Sequence, residues 1–294
     1  MDELRDMGTG VVASIVDPLT VVLADKRIIH LASVDLPIYP GEKENAFAIL
    51  AIQRMQSLFL GQKITFYQTR NEKNGRLNAL GQNLGHIVKR NGDNPVWAQK
   101  VLVEEGLVRA LPTMSNPENA AALLEAEIKP RTLRKGLWGT AQWAVKNIDT
   151  VGSYVGTIQV VQGKVYSVST RGNITYLNFG RDWKTDFTIE VDATMRRALM
   201  KNAINPMALT GKFVEVRGFV EEHNGPSIQL EAPQLLRIIE VKTAATEAPK
   251  PAEPPLEKGV ARYQVDAETL PKLSDDKGKE APTKPKLPRK DFNK

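Results

Sequence analysis

The stretch "VVASIVDPLTVVLADKRIIHLASVDLP", residues 11–37, carries the clearest fold signal in the first half of the chain. Apolar and polar residues alternate along three short runs, and a period of two is typical of β-strands that are buried on one face. Asp17 stands at one bend, before Pro18, and Asp35 stands at another, before Leu36 and Pro37. The stretch therefore predicts three consecutive strands, with one carboxylate kept at each of two bends.

The composition of the 294-residue chain indicates a folded protein of up to two domains. A hydrophobic fraction of 41% is sufficient for buried cores. No window approaches the roughly eighteen consecutive apolar residues of a membrane span. The opening "MDELRDMGTG" is acidic, unlike a secretory signal, so the expected location is the cytoplasm; a true start further upstream would allow export. The chain has no cysteine, which excludes disulfides and thiolate metal sites.

The net charge of +6 is weak support for binding a polyanion. Residues 241–294 hold 12 Lys and Arg against 9 Asp and Glu, a balance of +3 that accounts for half of the excess. Nucleic-acid binding requires cations that are gathered on one face. The charge of the folded part therefore decides little about its partner.

Helices and strands alternate after the opening strands. The run "ENAFAILAIQRMQSLFLG" has near-helical apolar spacing and ends at Gly61, "QKITFYQT" alternates as a strand, and "VWAQKVLVEEG" reads as a second helix. A third helix is predicted from Ser115, whose spacing to Glu118 is that of a capping box, towards "GLW" at residues 136–138. Pro130 is expected to bend or break it, because proline removes a backbone donor.

The second half, from Tyr154, is almost entirely strand-like. Five strand-like runs, with "ATMRRALMKNAI" as a helix between the third and the fourth, are typical of a small Greek-key barrel closed in the OB manner. Beyond Val241 the chain is rich in Pro, Lys, Glu and Ala, which predicts a disordered tail. A solvated tail is favoured over a basic arm that contacts nucleic acid or a membrane surface.

Four motifs occur in the order that is found in the staphylococcal nuclease (thermonuclease) family. The chain has "DPLT" at 17–20, "HLASVDLPI" at 30–38, "GRLNA" at 75–79 and "GLW" at 136–138. The family has D-G-D-T, R-L-x-x-I-D-x-P-E, G-R-x-x-A and G-L-W at these places. The first 140 residues thus resemble this family, whose domain is itself an OB barrel with three helices.

The predicted fold class is mainly β with helices (α+β), with two five-stranded OB-type barrels in tandem, the first carrying three helices. The predicted domains are a staphylococcal-nuclease-like OB domain at 1–146, a second OB domain at 151–241 and a disordered Pro/Lys-rich tail at 242–294.

The resemblance implies a phosphodiester-cleaving site made of a calcium ion, two arginines and a glutamate. Asp35 matches one calcium ligand, and Arg76 matches one arginine. Leu19, His30 and Ile38 stand where the family has the second calcium-binding aspartate, the other arginine and the glutamate. Leucine offers no oxygen to calcium, a neutral histidine lacks the bidentate charge of arginine, and isoleucine accepts no proton. Asp35 and Arg76 are therefore expected to be vestigial.

The retained polar residues also have structural interpretations. Asp17 and Asp35 can both be turn formers, because aspartate hydrogen-bonds to its own local backbone. Arg76 can be a solvated hairpin side chain or a retained phosphate contact. The residues His30, His86 and His223 have no ligand-like spacing, so a histidine metal site is not expected.

The second barrel offers aromatic residues interleaved with basic ones. Barrels of this class bind single strands by stacking bases on aromatic side chains within a basic groove. Aromatic residues on strands also pack in cores, and both interpretations stay open. The candidates for nucleic-acid binding are Tyr176, Phe179, Arg181, Trp183 and Lys184.

We expect a catalytically impaired nuclease-like protein that acts as a binding or scaffold module, with single-stranded nucleic acid or a protein as its partner and without a cofactor. The alternative is a divergent Ca²⁺-dependent phosphodiesterase, an endonuclease on DNA or RNA, in which Asp35 and Arg76 still act.

Overall fold

The computed structural model describes residues 1–38, 45–90, 92–182 and 184–239. Contacts group Met1–Lys242, and with it both predicted barrels, into one compact unit. The fold is mainly β with helices, as predicted. The domain boundary predicted between residues 146 and 151 stays a prediction, and the tail predicted at 242–294 lies outside the described residues.

The first barrel comprises the elements up to residue 139. Its strands are β1 Arg5–Asp17, β2 Thr20–Leu23, β3 Ile28–Leu31, β4 Val34–Asp35, β5 Lys63–Gln68, β6 Asn83–Lys89, β7 Val96–Trp97 and β8 Arg109–Ala110. Its helices are α1 Ala46–Phe59, α2 Ala98–Glu104, α3 Ala120–Ala126 and α4 Ile128–Thr132, followed by a 3₁₀ helix at Gly136–Gly139.

Strand β1 organises the first barrel because it pairs along both of its edges. It extends back to Arg5; residues 5–11 pair with β5 and residues 12–17 pair with β2. The strand order is β3-β2-β1-β5-β6-β7, and a parallel pairing of β3 with β6 closes the sheet. At this closure a Cβ on Gly85 would lie 2.3 Å from the carbonyl oxygen of Tyr67, so the close approach requires glycine.

The core of the first barrel lies between the sheet and helices α1 and α2. Met55 and Phe59 of α1 and Leu102 of α2 are buried against the strands. Helix α1 begins where it does because the side chain of Asn45 accepts hydrogen bonds from the N–H groups of Phe47 (3.0 Å) and Ala48 (3.2 Å). The predicted first helix is thus confirmed.

The capping box that was predicted for the third helix is wrong. Helix α3 begins at Ala120 after Asn119, whose φ is 57° and whose side chain makes no capping hydrogen bond. Ser115 Oγ lies 3.2 Å from Thr113 Oγ1, and Glu118 Oε1 accepts from Thr69 Oγ1 at 2.5 Å. Both side chains therefore fix the preceding loops and do not cap the helix.

The interruption that was predicted from Pro130 is confirmed. The helical segment is split into α3 and α4, with Glu127 between them. Pro130 has no N–H to donate to the carbonyl of Ala126, four residues earlier, so the helical bond at this point is missing. The break also positions the Glu127 carboxylate, which is fully buried.

The second barrel follows. Its strands are β9 Lys146–Asn147, β10 Ile158–Lys164, β11 Ser167–Arg171, β12 Ile174–Asn178, β13 Thr188–Val191, β14 Phe213–Phe219, β15 Glu221–Glu222, β16 Pro226–Gln229 and β17 Leu236–Ile238. Its α-helix is α5 Ala193–Lys201, and 3₁₀ helices lie at Val151–Tyr154, Pro206–Ala208 and Pro233–Leu235.

The second half contains two sheets that are connected by chain segments passing from one sheet to the other. One sheet has the order β17-β14-β10-β9 and the other has the order β11-β12-β13-β16-β15. The segment β10 to β11 and the segment β14 to β15 each pass from the first sheet to the second. The predicted helix lies between β13 and β14, as α5, and its N-cap is Asp192, which accepts from Met195 N at 2.6 Å.

A buried cluster of charges joins the two barrels. This junction cluster consists of Glu127 and Arg131 from the first barrel and Glu215 and Arg217 from β14. Arg217 donates from Nη1 to Glu127 Oε1 at 2.9 Å and to the carbonyl oxygen of Ala110 at 3.0 Å, and its Nη2 bonds to Glu127 Oε2. Arg131 Nη1 donates to Glu215 Oε1 at 3.1 Å, and Arg131 Nη2 also binds that carboxylate. The cluster makes the barrels one packed unit.

The environment of the junction cluster stabilises its charged forms. Burial alone would raise the pKa of Glu215, but the hydrogen bond from Arg131 and the positive charges of Arg217 and Arg131 lower the pKa to about 2. Burial alone would lower the pKa of Arg217, whereas the carboxylates of Glu127 and Glu215 raise it above its usual value. Removing one charged side chain of the cluster would leave an unpaired charge in the interior.

A small apolar cluster adds to the same junction. Leu137 and Trp138 of the "GLW" motif pack with Trp143 and with Val160 of β10. The motif at the end of the first barrel therefore packs against the second.

Among the described helices none has the length and hydrophobicity that crossing a bilayer would require.

Candidate functional site

Asp17 is a turn residue. It ends β1, and its Oδ1 accepts a hydrogen bond from the N–H of Leu19 at 2.8 Å, which confirms the turn interpretation. Leu19 packs against the apolar core of the first barrel. The bend therefore has a local structural role, and the side chain at position 19 contributes to packing.

His30 lies on β3, where a neighbouring hydroxyl contacts its ring and partial burial affects its pKa. Its Nδ1 lies 2.8 Å from Thr20 Oγ1, across the pairing of β2 with β3. Partial burial lowers the pKa of His30, and the charge of Asp17 opposes this shift only in part. The lowered pKa favours the neutral ring near pH 7, where an arginine would always be charged.

Asp35 is bound by an arginine that the sequence analysis did not single out. Arg109 donates to Asp35 Oδ2 from Nε at 2.8 Å and approaches it with Nη2 at 2.7 Å. Its third nitrogen, Nη1, donates to the carbonyl oxygen of Ile158 in β10 at 2.7 Å. The side chain of Arg109 is 3% exposed, that of Asp35 is 25% exposed, and the guanidinium also lies over the Trp143 ring. The Asp35–Arg109 pair thus links the barrels.

The pairing of β4 with β8 produces this contact, because it places Asp35 directly opposite Arg109. Burial lowers the pKa of Arg109, and Asp35 opposes that shift. Burial and the charge of Arg109 also lower the pKa of Lys146 to about 8. A single arginine within the apolar run "GLVRALP" was the available sequence signal for Arg109.

Arg76 is engaged by its own loop. Its Nε donates to the carbonyl oxygen of Thr69 at 3.1 Å, its Nη2 donates to that of Arg70 at 3.4 Å, and Glu72 lies 3.6 Å from its Nη1. The side chain is 20% exposed and lines a shallow hollow of about 440 Å³. Arg76 and Asp35 are therefore held by separate sets of partners.

Arg76 is connected to the strand that carries His30. Leu84 N donates to the carbonyl oxygen of Arg76 at 2.8 Å, and Leu84 is the parallel partner of His30. The loop that carries Arg76 is thus bonded to β6, the strand that pairs with the strand of His30. Ile38 is 68% exposed and has no acceptor group. In the part of the chain that the structure describes, no three His, Asp or Glu side chains cluster as metal ligands would.

A groove lies on the outer face of the second barrel. We call it the tyrosine groove; it has a volume of about 310 Å³. Tyr166, at the bend between β10 and β11, is 50% exposed, and Tyr176 projects from β12 into the same space. Both rings are thus accessible from solvent. The other lining residues are Ser167, Ser169, Arg171, Asn178, Gly180, Arg181, Thr188, Glu190, His223 and Asn224.

Two of the five predicted nucleic-acid contacts line this groove, whereas Phe179 lies in the core. Tyr176 and Arg181 line it. Phe179 is 6% exposed and packs on Phe187 with ring centroids 5.1 Å apart. The alternation of β12 turns Leu177 and Phe179 to the core and Tyr176 to the groove. Lys184 is exposed in the following loop, and Trp183 lies outside the described residues.

A hydrogen-bonded pair that the sequence did not reveal forms part of the groove wall. His223 Nδ1 lies 2.9 Å from Glu190 Oε1, and both residues line the wall. They are 33 positions apart and meet because β13 and β16 are parallel partners beside the loop that holds His223. No local pattern connects them.

Residues 28–140 match the family model described as staphylococcal nuclease homologue. The match covers β3 to the 3₁₀ helix at Gly136–Gly139 and so lies within the first barrel. It relates the first barrel to nucleases and is compatible with nucleic-acid binding. No curated protein matches the chain.

Proposed function

From the premise that residues 28–140 form a staphylococcal nuclease homologue domain, we propose that this domain has lost phosphodiester cleavage and that the protein is a binding and scaffold module for nucleic acid. The observation that carries the proposal is the Asp35–Arg109 pair. The carboxylate that the resemblance assigns to calcium is occupied by a buried guanidinium.

Calcium does not fit the donors that are present. Calcium takes six to eight oxygen ligands and prefers carboxylates. Asp35 faces a positive charge 2.7 Å away, and Leu19 supplies no side-chain oxygen. Moving Asp35 towards a cation would leave Arg109, which is 3% exposed, without its carboxylate. The protein thus uses this negative charge for its own packing.

The phosphate-binding cations are weakened as well. Burial lowers the pKa of His30 and so favours its neutral form, and Arg76 donates to loop carbonyls. Losing a general base typically costs about two to four orders of magnitude in rate, and losing one transition-state donor costs about two to three. The combined losses support a domain without useful catalysis.

The scaffold role is supported by the contacts that the partner of Asp35 makes with the second barrel. Arg109 reaches Ile158 of the second barrel, and the junction cluster continues the connection through Glu127 and Arg217. The carboxylate of Asp35, which the resemblance matches to a calcium ligand, is bound instead by Arg109. This arrangement is compatible with a first barrel that serves to support the second.

A hydrolysis assay tests the proposal. The full chain is incubated with single-stranded DNA and RNA, in calcium or in chelator, beside Arg76→Ala and the exposed-arginine control Arg90→Ala. We expect no calcium-dependent cleavage from any form, and no rise in melting temperature on adding calcium, since a bound ligand would stabilise the fold. Calcium-dependent cleavage that Arg76→Ala abolishes and Arg90→Ala retains would establish the phosphodiesterase alternative.

A further inference from the structure

We propose that the tyrosine groove binds unpaired bases of single-stranded nucleic acid, with Tyr166 and Tyr176 as stacking platforms and Arg181 as a phosphate contact. This assignment rests on the proposed function, because it names the site and the ligand class of a binding module. It places the ligand on the second barrel and not on the family's catalytic face.

The strand register aligns the groove residues in rows. Ser169, Tyr176 and Glu190 lie opposite one another across β11, β12 and β13. Tyr166 donates its backbone N–H to the carbonyl oxygen of Asn178 at 2.8 Å. Asn178 is two residues from Tyr176 along β12, a separation of about 7 Å. The exposed ring of Tyr166 and the half-buried ring of Tyr176 thus line one groove, close enough for consecutive bases of a strand to reach both.

The floor between the rings carries donors and acceptors. Asn178 Nδ2 reaches Ser167 Oγ and Ser169 Oγ only at 3.4 Å, so its amide has hydrogen-bonding capacity left for a ligand. The carboxylate of Glu190, held by His223, can accept from the exocyclic amine of a base. These donors and acceptors are of the types that can hydrogen-bond with the edges of bases.

The charges favour a phosphate backbone at the rim. Arg181 is exposed and makes no hydrogen bond or ion pair with any residue described in residues 1–38, 45–90, 92–182 and 184–239. Arg171 lines the opposite end of the groove, four residues along β11 from Ser167, or about 13 Å. An acidic peptide would pair with Arg181 but would leave the two tyrosine faces without a planar partner.

The size of the groove favours single strands over a duplex. A volume of about 310 Å³ lies at the small end of ligand sites and suits a few bases. Duplex bases are already stacked and paired, so their faces cannot reach the tyrosines. We therefore expect unpaired strands to bind more tightly than duplexes of equal length.

The test is fluorescence anisotropy of the full chain with a labelled single strand of about a dozen nucleotides. A chelator is present, so that hydrolysis and binding are measured apart. Tyr176→Ala and Tyr166→Ala are each expected to weaken binding roughly 5- to 150-fold, the range for losing one stacked base. Tyr176→Phe should keep most of the affinity. Arg181→Ala should weaken binding to all sequences alike and reduce the salt slope by about one.

Matched controls come from the same barrel. Phe219→Ala removes an exposed aromatic side chain of β14, and Arg197→Ala removes an exposed cation of α5; neither residue lines the groove. Both variants should bind like the unmodified chain. Equal losses in the groove variants and in the controls would overturn the proposal.

Three further results would also overturn it: absence of binding at low salt, duplex binding as tight as single-strand binding, and displacement by poly-glutamate as effective as by the unlabelled strand. The last would identify an acidic protein as the better ligand. None of them bears on cleavage, so failure of this proposal and failure of the impaired-nuclease proposal are distinguishable. Absence of binding alone would also remove nucleic acid as the ligand of the proposed module.

Discussion

The junction between the barrels and the tyrosine groove both contain arginines, in opposite situations. Arg109, Arg131 and Arg217 are bonded to carboxylates in or near the interior, whereas Arg181 is exposed at the rim of the groove. A buried, paired charge contributes to the folded structure and is unavailable to a ligand. An exposed arginine beside accessible rings contributes little to stability and is available for binding. Asp35, which matches a calcium ligand of the family, is one of the paired charges and is therefore unavailable to a ligand.

The largest effect is expected from Arg217→Met. This substitution leaves Glu127, which is fully buried, without its main counter-charge, and breaking a buried pair costs about 3–5 kcal/mol. The free energy of unfolding, measured by urea denaturation, should fall by that amount. Arg237→Ala is the matched control; Arg237 is 32% exposed and lies 3.5 Å from Glu215, so its loss should cost under about 1 kcal/mol.

A double variant, Glu127→Gln with Arg217→Met, keeps this prediction testable if the single variant does not fold. It removes the unpaired charge and should regain part of the lost stability. A double variant that is less stable than Arg217→Met would contradict the charge explanation.

The second-largest effect is expected from acid, which should weaken the junction cluster. The pKa of Glu215 is lowered from 4.5 to about 2, so its contribution is fully present above pH 4.5 and is lost as the pH falls towards 2. The shift corresponds to about 3 kcal/mol. Urea denaturation across this range should show the loss, and Glu215→Gln should abolish it.

His86 provides an internal comparison for the acid experiment. Burial lowers the pKa of His86 from 6.5 to about 4, so the unfolded state takes up the proton first and stability falls between pH 6.5 and 4. Glu215→Gln should leave this earlier loss intact, whereas His86→Phe should remove it. An identical pH dependence in both variants would show that neither assignment is correct.

The smallest effects on stability are expected from two substitutions, one at the junction between the barrels and one at the tyrosine groove. Asp35→Ala is expected to cost about 2 kcal/mol, because it leaves Arg109 buried without a carboxylate. Arg181→Ala should change stability by less than about 0.5 kcal/mol, since the residue is exposed. Thermal or urea denaturation in the presence of chelator measures both. If Asp35→Ala proved neutral, Asp35 would not be a structural residue.

Much of the fold was predictable because it depends on local pattern. The strands of residues 11–37, the helix that ends before Gly61 and the break near Pro130 follow from periodicity and from backbone chemistry. The extension of β1 back to Arg5 was not predicted, because it depends on pairing with β5, more than fifty residues later in the chain. The capping box failed for a similar reason: Glu118 bonds to Thr69, a distant residue.

Sequence by itself determined the mainly β class, the likeness of the first barrel to its family and the replacement of the family's polar groups by Leu19, His30 and Ile38. These follow from residue types and their spacing along the chain. Only the tertiary structure decided that Asp35 is paired with Arg109, that Phe179 faces the core while Tyr176 faces the groove, and that Glu190 meets His223. The physical reason is that the partner of a charge and the exposure of a ring depend on strand pairing between residues far apart in the chain.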